Sequence, residues 1–97
     1  MNRDEVISAL KAAQTELRER YRVRSVRIFG SVASDQAGHG SDIDIAVEFE
    51  GARDGMALFG AAGLIADRLK GPVDVIEYPP RDPELARQVD AGSVRAF

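Results

Sequence analysis

The chain opens with apolar residues at the spacing of an amphipathic helix. These residues are Val6, Leu10, Ala13, Leu17 and Tyr21. Residues three or four apart share one face of a helix, so the pattern predicts a single helix with one buried stripe. Asn2, with Glu5 three residues later, predicts a capping box at its start, because each side chain can bind the backbone N–H of the other residue.

Further along, four segments have the pattern of strands. Residues 23–29 are rich in β-branched and aromatic side chains, which favour a strand. Residues 41–49 alternate strictly between two faces. The apolar face of this second strand comprises Ile43, Ile45, Val47 and Phe49. Residues 73–76 predict a short buried strand, and residues 93–97 predict an edge strand at the end of the chain.

The segments between these strands predict helices and loops. Residues 30–40 predict a turn or short helix and then a loop, and residues 56–69 predict a helix that a Gly-Pro pair ends. Asp82 can cap a last helix that has Pro83 at its first position. The order is therefore α-β-(α)-β-α-β-α. We expect an α+β fold, a small mixed sheet with helices packed on one side, in a single domain over residues 1–97.

Length and composition restrict the size, the chemistry and the expected location of this domain. A chain of 97 residues can form one core of two layers. No apolar run approaches the roughly 20 residues that cross a bilayer, and no signal-peptide pattern opens the chain. Cysteine is absent, which excludes disulfides and thiolate metal sites. We therefore expect no membrane partner and take the cytoplasm as the default location.

Charge is unevenly distributed. The net charge of −3 counts against direct DNA binding, whose affinity comes mainly from neutralising phosphates. Five arginines nevertheless fall within ten positions, namely Arg18, Arg20, Arg22, Arg24 and Arg27. They fit a solvated helix end followed by the outer face of a strand, or a docking patch for an acidic or phosphate-bearing partner.

Two aspartates on the polar face of the second strand are the first candidates for chemistry. Asp42 and Asp44 are two residues apart, so their side chains point the same way, about 6.6 Å from each other. Two like charges about 4 Å apart repel by roughly 4 kcal/mol at an effective dielectric of 20. A divalent cation relieves this repulsion, and all-oxygen ligation suits Mg²⁺ or Mn²⁺. Alternatively, both side chains simply face water.

Two neighbouring features favour the metal interpretation. Gly30-Ser31 follows a strand and precedes a short helix, so free backbone amides and a hydroxyl could bind phosphate. Asp74 lies within an apolar strand, where it could add a third carboxylate from a neighbouring strand. Each feature also has a plainer explanation: Ser31 as the cap of its own helix, and Asp74 as an exposed residue at a strand end.

Together these residues resemble a known family. Gly30-Ser31, ten further residues and then Asp42-Ile43-Asp44 resemble the Gly-Ser-x10-Asp-x-Asp signature of DNA polymerase β-like nucleotidyltransferases. The segment from Ser41 to Val47 is similar to the minimal, MNT-type branch of that family. The resemblance extends over about residues 5 to 97 and implies a polymerase β-like nucleotidyltransferase fold.

The resemblance also implies roles for individual residues. Asp42 and Asp44 would bind two Mg²⁺ ions, with Mn²⁺ as an alternative, and Asp74 would bind the catalytic ion and help activate the attacking hydroxyl. Gly30 and Ser31, together with Ser41, would bind the nucleotide, most simply ATP. The sequence departs from the family at one point, because Ser34-Asp35 stands where minimal members carry a basic residue and a glycine.

Other residues could bear on the site. Arg53 and Lys70 are the candidates to replace that missing cation. His39, the single histidine, lies in a glycine-flanked loop, where it is either exposed and idle or a nucleotide contact.

Two classes of function follow. The first is a Mg²⁺-dependent enzyme that moves AMP from ATP to a hydroxyl. A length of 97 residues predicts no acceptor domain within this chain, so we expect a partner chain and a hetero-oligomer. In MNT-type systems the partner is often a HEPN-type ribonuclease toxin, which the enzyme would silence as an antitoxin. A small molecule bound by a partner subunit is another possible acceptor. The second class is a non-catalytic module that binds nucleotide or masks a partner.

Overall fold

The helices and strands form in nearly the order that the pattern predicts. A computed structural model describes residues 1–34, 42–51 and 55–97. Its elements are α1 (Arg3–Ala12), α2 (Gln14–Tyr21), β1 (Val23–Phe29), α3 (Gly30–Ala33), β2 (Ile43–Phe49), α4 (Gly55–Arg68), β3 (Val73–Glu77), α5 (Pro83–Gly92) and β4 (Val94–Arg95).

The strands form one mixed sheet in the order β3-β2-β1-β4. β1 is antiparallel to β2 and to the short edge strand β4, whereas β2 and β3 are parallel. The parallel pair is possible because α4 connects β2 to β3 as a crossover. The α+β class with a small mixed sheet is therefore confirmed.

The larger core lies between one face of the sheet and the helices α1, α2 and α4. It is built from the apolar face of β2, the alternating residues of β1 and the stripe that begins at Val6. The predicted single helix is in fact two, because the chain turns tightly at Ala13, whose N–H bonds the carbonyls of Ala9 and Leu10. The stripe continues across this turn, and Leu17 is fully buried.

Helix α5 packs on the opposite face of the sheet. A second apolar cluster there comprises Phe29, Ala46 and Val89, with Ile76, Tyr78 and Leu85 against it. The Tyr78 hydroxyl donates a hydrogen bond to Asp90 of α5 at 2.8 Å, and the Arg27 guanidinium lies 4.7 Å from the centroid of the Tyr78 ring. The expectation that the helices pack on one side therefore holds for α1, α2 and α4 but is wrong for α5.

The predicted helix caps are present. The Asn2 side chain accepts from the Glu5 N–H at 2.9 Å, and the Glu5 carboxylate accepts from the Asn2 N–H at 3.0 Å. Asp82 caps α5 by accepting from the Glu84 N–H at 3.0 Å. Of the helices in the described ranges, none has the length and apolar character needed to cross a membrane.

The five arginines of the basic cluster are dispersed by the fold. Arg20 pairs with Glu16 and lies 5.4 Å from the centroid of the Tyr21 ring, while Arg27 is engaged on the face that α5 covers. Arg18 and Arg24 line a cavity of about 270 Å³ together with Val23 and Glu50. Arg27 therefore lies apart from Arg18 and Arg24, which share one cavity.

Close packing against α2 fixes the orientation of α4. A Cβ atom at Gly60 would lie only 2.8 Å from Cζ of Tyr21, so the two helices approach more closely there than a side chain would allow. With Gly60 turned toward α2, Met56 and Phe59 point outward, and their exposed fractions are 70% and 76%.

Candidate active site

The predicted carboxylates meet at one end of the sheet. Asp44 and Asp74 are direct partners in the parallel pairing of β2 with β3. Neighbouring strands lie about 4.8 Å apart and partners point to the same face, so these two side chains stand side by side. Asp42 immediately precedes β2 and is exposed. The prediction that Asp74 joins the pair is therefore consistent with the register of the sheet.

The pKa of Asp44 responds to the fold and to the two other carboxylates. Burial raises the pKa of the half-buried Asp44 above its ordinary value of 3.8, and the charges of Asp74 and Asp42 raise this pKa further. The burial comes from the sheet and from Gly30, which lies against Asp44. The end of the sheet therefore holds an ionised Asp44 only at a free-energy penalty.

The carboxylates have the right chemistry for a divalent cation, although their side chains do not converge on one point. As the side chains stand, no three acidic or histidine residues in the described ranges are close enough together to hold one ion. Asp42 and Asp74 are exposed, so their side chains are free to reorient. Carboxylate oxygens are the ligands that Mg²⁺ and Mn²⁺ prefer, so the donor set fits either ion.

Gly30 is required at its position for two reasons. Its φ of +71° lies in the left-handed region, which side chains disfavour. A Cβ atom at this position would overlap Oδ2 of Asp44 and lie 3.3 Å from its Cγ. Glycine therefore lets the start of α3 approach the carboxylate directly. Ser31 follows as the second residue of α3, where its side chain is half-buried, and the Ser34 hydroxyl donates to its carbonyl at 3.1 Å.

A cavity opens beside Asp44, between α3 and α5. Its volume is about 390 Å³, within the usual range for small-ligand pockets. Its lining residues are Phe29, Gly30, Ser34 and Asp44 on the sheet side, with Gln88, Ala91 and Gly92 on α5. The cavity provides room for a ligand that reaches the carboxylate from the Gly30 turn.

Some of the sequence predictions are not tested by the structure. Ser41, His39 and Arg53 lie outside the described residues. Lys70 is exposed just after α4. Among the described residues, no lysine or arginine forms an ion pair with Asp42, Asp44 or Asp74. The departure from the family pattern at Ser34 is thus not compensated by a direct contact in this part of the chain.

Sequence reasoning missed the wall of the cavity that α5 provides. Gln88 and Gly92 line the cavity, yet neither has a distinctive pattern along the chain. The only signal is that Gln88 precedes the buried Val89, so it lies at the border of the apolar stripe of α5. This signal becomes informative only once α5 is known to cover the face that carries the aspartates.

The contact between Gly30 and Asp44 predicts the effect of one substitution. Gly30→Ala should lose about 1–2 kcal/mol of unfolding free energy from the left-handed backbone, and about 1 kcal/mol more from the overlap with Asp44. Urea unfolding measures both losses. Gly51→Ala is the matched control, because Gly51 has a φ of +66° and nothing within 4 Å of an added Cβ.

An Asp44→Ala background should abolish the difference between the two glycine substitutions. Equal losses in the wild-type background would show that Gly30 does not press on Asp44.

The raised pKa of Asp44 predicts that a neutral substitute stabilises the metal-free protein. The folded state binds more protons than the unfolded state from pH 3.8 up to the raised pKa, so stability is lost as the pH rises through this window. Asp44→Asn should therefore gain on the order of 1 kcal/mol at pH 7, a rise in Tm of about 4–8 °C, and should gain nothing well below pH 3.8.

Thermal unfolding in EDTA across this pH range tests the prediction. Asp67→Asn removes an exposed carboxylate elsewhere and should show no such gain. A destabilised Asp44→Asn protein at pH 7 would show that the carboxylate is a structural group.

Comparison with known proteins identifies the family of this chain. Residues 11–95 match the family described as "Polymerase beta, Nucleotidyltransferase". A similar curated protein is the "Putative protein adenylyltransferase MJ0128" of Methanocaldococcus jannaschii, which is 33% identical over 87 residues that cover 89% of each chain.

Solved structures share the fold. The structure of a "putative minimal nucleotidyltransferase" superposes with a TM-score of 0.76 at 29% identity, over 97% of this chain and 95% of the other. A complex of a tri-AMPylated Shewanella oneidensis HEPN toxin with an MNT antitoxin superposes with a TM-score of 0.70 at 20% identity, over 98% and 71% of the chains. Because the identity to a chain of this complex is only 20%, the similarity shows a shared fold and no more. The chain therefore belongs to the polymerase beta nucleotidyltransferase family, and it is a nucleotidyltransferase.

Proposed function

We propose that this chain transfers AMP from ATP to a hydroxyl group on a partner protein. The observation that carries the proposal is the register of Asp44 with Asp74 at the point where Gly30 touches Asp44. This register places Asp44 beside both Asp74 and Gly30, which supports a single site formed by the acidic end of the sheet and the Gly30-Ser31 turn. The M. jannaschii relative named as a protein adenylyltransferase supports the same reaction class.

In the proposed reaction each group has a separate task. The acceptor hydroxyl oxygen forms a bond to the α-phosphorus of ATP, the bond from that phosphorus to the bridging oxygen breaks, and pyrophosphate leaves. Asp74 either accepts the proton of the acceptor hydroxyl or orients this hydroxyl so that its proton passes to water. Asp42, Asp44 and Asp74 are the residues that would hold Mg²⁺, which when bound would stabilise the attacking and the leaving oxygens.

Phosphate binding is assigned to the turn that begins α3. The backbone of Gly30 approaches the site without a side chain, and Ser31 adds a hydroxyl beside it. Ser41 is kept as a further nucleotide contact on the resemblance alone. The cavity between α3 and α5 is the space that we assign to the nucleotide, because it joins the Gly30 turn to Asp44.

The proposed acceptor is a HEPN-like helical protein, and the proposed role is that of an antitoxin in the cytoplasm. The solved complex of the tri-AMPylated HEPN toxin, whose antitoxin has this fold, shows such a partner for that system. A phosphodiester on a hydroxyl of a ribonuclease active site adds negative charge where RNA phosphate must bind, and this would block the nuclease.

A non-catalytic role is the second candidate. It is favoured by one observation, namely that no lysine or arginine in the described ranges pairs with the three carboxylates. In this role the chain would bind nucleotide or mask its partner without turnover. The two experiments below separate binding from transfer.

Binding is tested by thermal unfolding with Mg²⁺ and a non-hydrolysable ATP analogue. A ligand that binds only the folded state should add about 2.7 kcal/mol at about 100 times its Kd. The combined variant Asp42→Asn, Asp44→Asn should lose this gain. The variant Asp4→Asn, Asp67→Asn removes the same charge from exposed helix positions and should keep it. If both double variants respond alike, Asp42 and Asp44 do not bind the ligand.

Transfer is tested by intact-mass spectrometry of a cognate HEPN-like protein incubated with ATP and Mg²⁺. We expect the partner to gain one or more AMP units and to lose ribonuclease activity. Neither change should occur with Asp42→Asn, Asp44→Asn. If that variant neutralises the ribonuclease as well as the wild type does, with no change in mass, the masking function is the correct one.

A further inference from the structure

The outer surface of α4 carries an apolar stripe with no partner in the described chain. Met56, Phe59, Gly63 and Ala66 are all exposed and follow one another at intervals of three, four and three residues. This is the a/d spacing of helices that pack side by side. Because Met56 and Phe59 are exposed to 70% and 76%, the stripe exposes large apolar side chains that are unfavourable in water.

The stripe is divided into a bulky half and a small half. Met56 and Phe59 project from the first turns, whereas Gly63 and Ala66 leave the later turns nearly flat. A Cβ atom added at Gly63 would meet nothing within 4 Å, so the space above it is open. No charged residue belongs to the stripe. A bulky half followed by a small half at matching intervals is complementary to its own antiparallel copy.

We propose that the α4 stripe is the interface of a homodimer in which two α4 helices pack antiparallel. With the two-fold axis between Phe59 and Gly63, each Phe59 ring lies over Gly63 of the second copy, and each Met56 lies over Ala66. An isologous contact of this kind requires a self-complementary surface. A partner of unrelated sequence would not need the bulky and the small residues at matching intervals.

The position of the stripe makes the dimer compatible with the active site. α4 packs on the face of the sheet that holds the larger core, whereas Asp44 and α5 lie on the opposite face. The dimer therefore leaves the cavity beside Asp44 open. At the C-terminal end of α4, Arg68 pairs with Glu16 of α2, so this charged pair belongs to the protomer and is not needed for the dimer contact.

Sedimentation velocity over a range from micromolar to submillimolar tests association. We expect the mass of the wild type to rise with concentration from 10.5 kDa toward twice that value. Phe59→Lys should raise the concentration of half-association at least tenfold, since it places a charge at the centre of the contact. Ser8→Lys, an exposed position on α1, is the control and should leave association unchanged. Because Phe59 is exposed, a folded Phe59→Lys variant is expected and can be checked by circular dichroism.

Disulfide trapping tests the antiparallel register, and the absence of native cysteine makes the result unambiguous. Met56→Cys chains mixed with Ala66→Cys chains should cross-link under mild oxidation. Neither variant alone should do so, because like positions would lie about 15 Å apart along the helices and disulfides need Cα atoms within about 7 Å.

Three results would overturn the proposal. The first is a protein that stays monomeric at every concentration. This result would overturn the proposal even if the stripe were buried in a complex with a different protein. The second is a dimer that Phe59→Lys leaves intact. The third is equal cross-linking in the unmixed samples, which would indicate a parallel or non-specific contact.

Discussion

Two aspartates held in register on neighbouring parallel strands are the constraint on which the site depends. Asp44 and Asp74 are direct partners on neighbouring strands, because the apolar residues on the other face of β2 and β3 fix the pairing of the strands. A slip of one residue would expose the whole apolar face, so the core holds the carboxylates together against their repulsion. Burial first, and then the charges of Asp74 and Asp42, raise the pKa of Asp44, and a bound cation would offset both effects.

The two sides of this carboxylate pair differ in what surrounds them. Gly30 closes one side of Asp44 at a distance that only glycine permits, and α5 forms the opposite wall of the cavity. Asp74 remains exposed on the other side. A nucleotide entering from the Gly30 turn and an acceptor arriving on the Asp74 side would therefore meet at the two carboxylates. This division agrees with the proposal that the acceptor is supplied by a second protein.

The sequence was informative where one face of an element is buried. Strict alternation in β2 placed the aspartates opposite the core, and the Asn2 and Asp82 caps were predicted because capping is local chemistry. The turn at Ala13 was not predictable, because the apolar stripe continues across it. The placement of α5 was not predictable either, because Leu85 and Val89 would suit either face of the sheet. The roles of Gln88 and Gly92 followed only from that placement. The motif predicted that the backbone at Gly30 approaches a phosphate ligand, whereas its contact with Asp44 became apparent only from the fold.

Paramagnetic broadening by Mn²⁺ in an amide-resolved NMR spectrum tests the central claim most directly, because it locates a bound ion without requiring turnover. The account predicts that substoichiometric Mn²⁺ broadens the amide signals of Gly30, Asp44 and Asp74 first, that excess Mg²⁺ restores them, and that signals of α4 stay sharp. Broadening that spreads over the exposed acidic residues of the helices, with no preference for this end of the sheet, would contradict it.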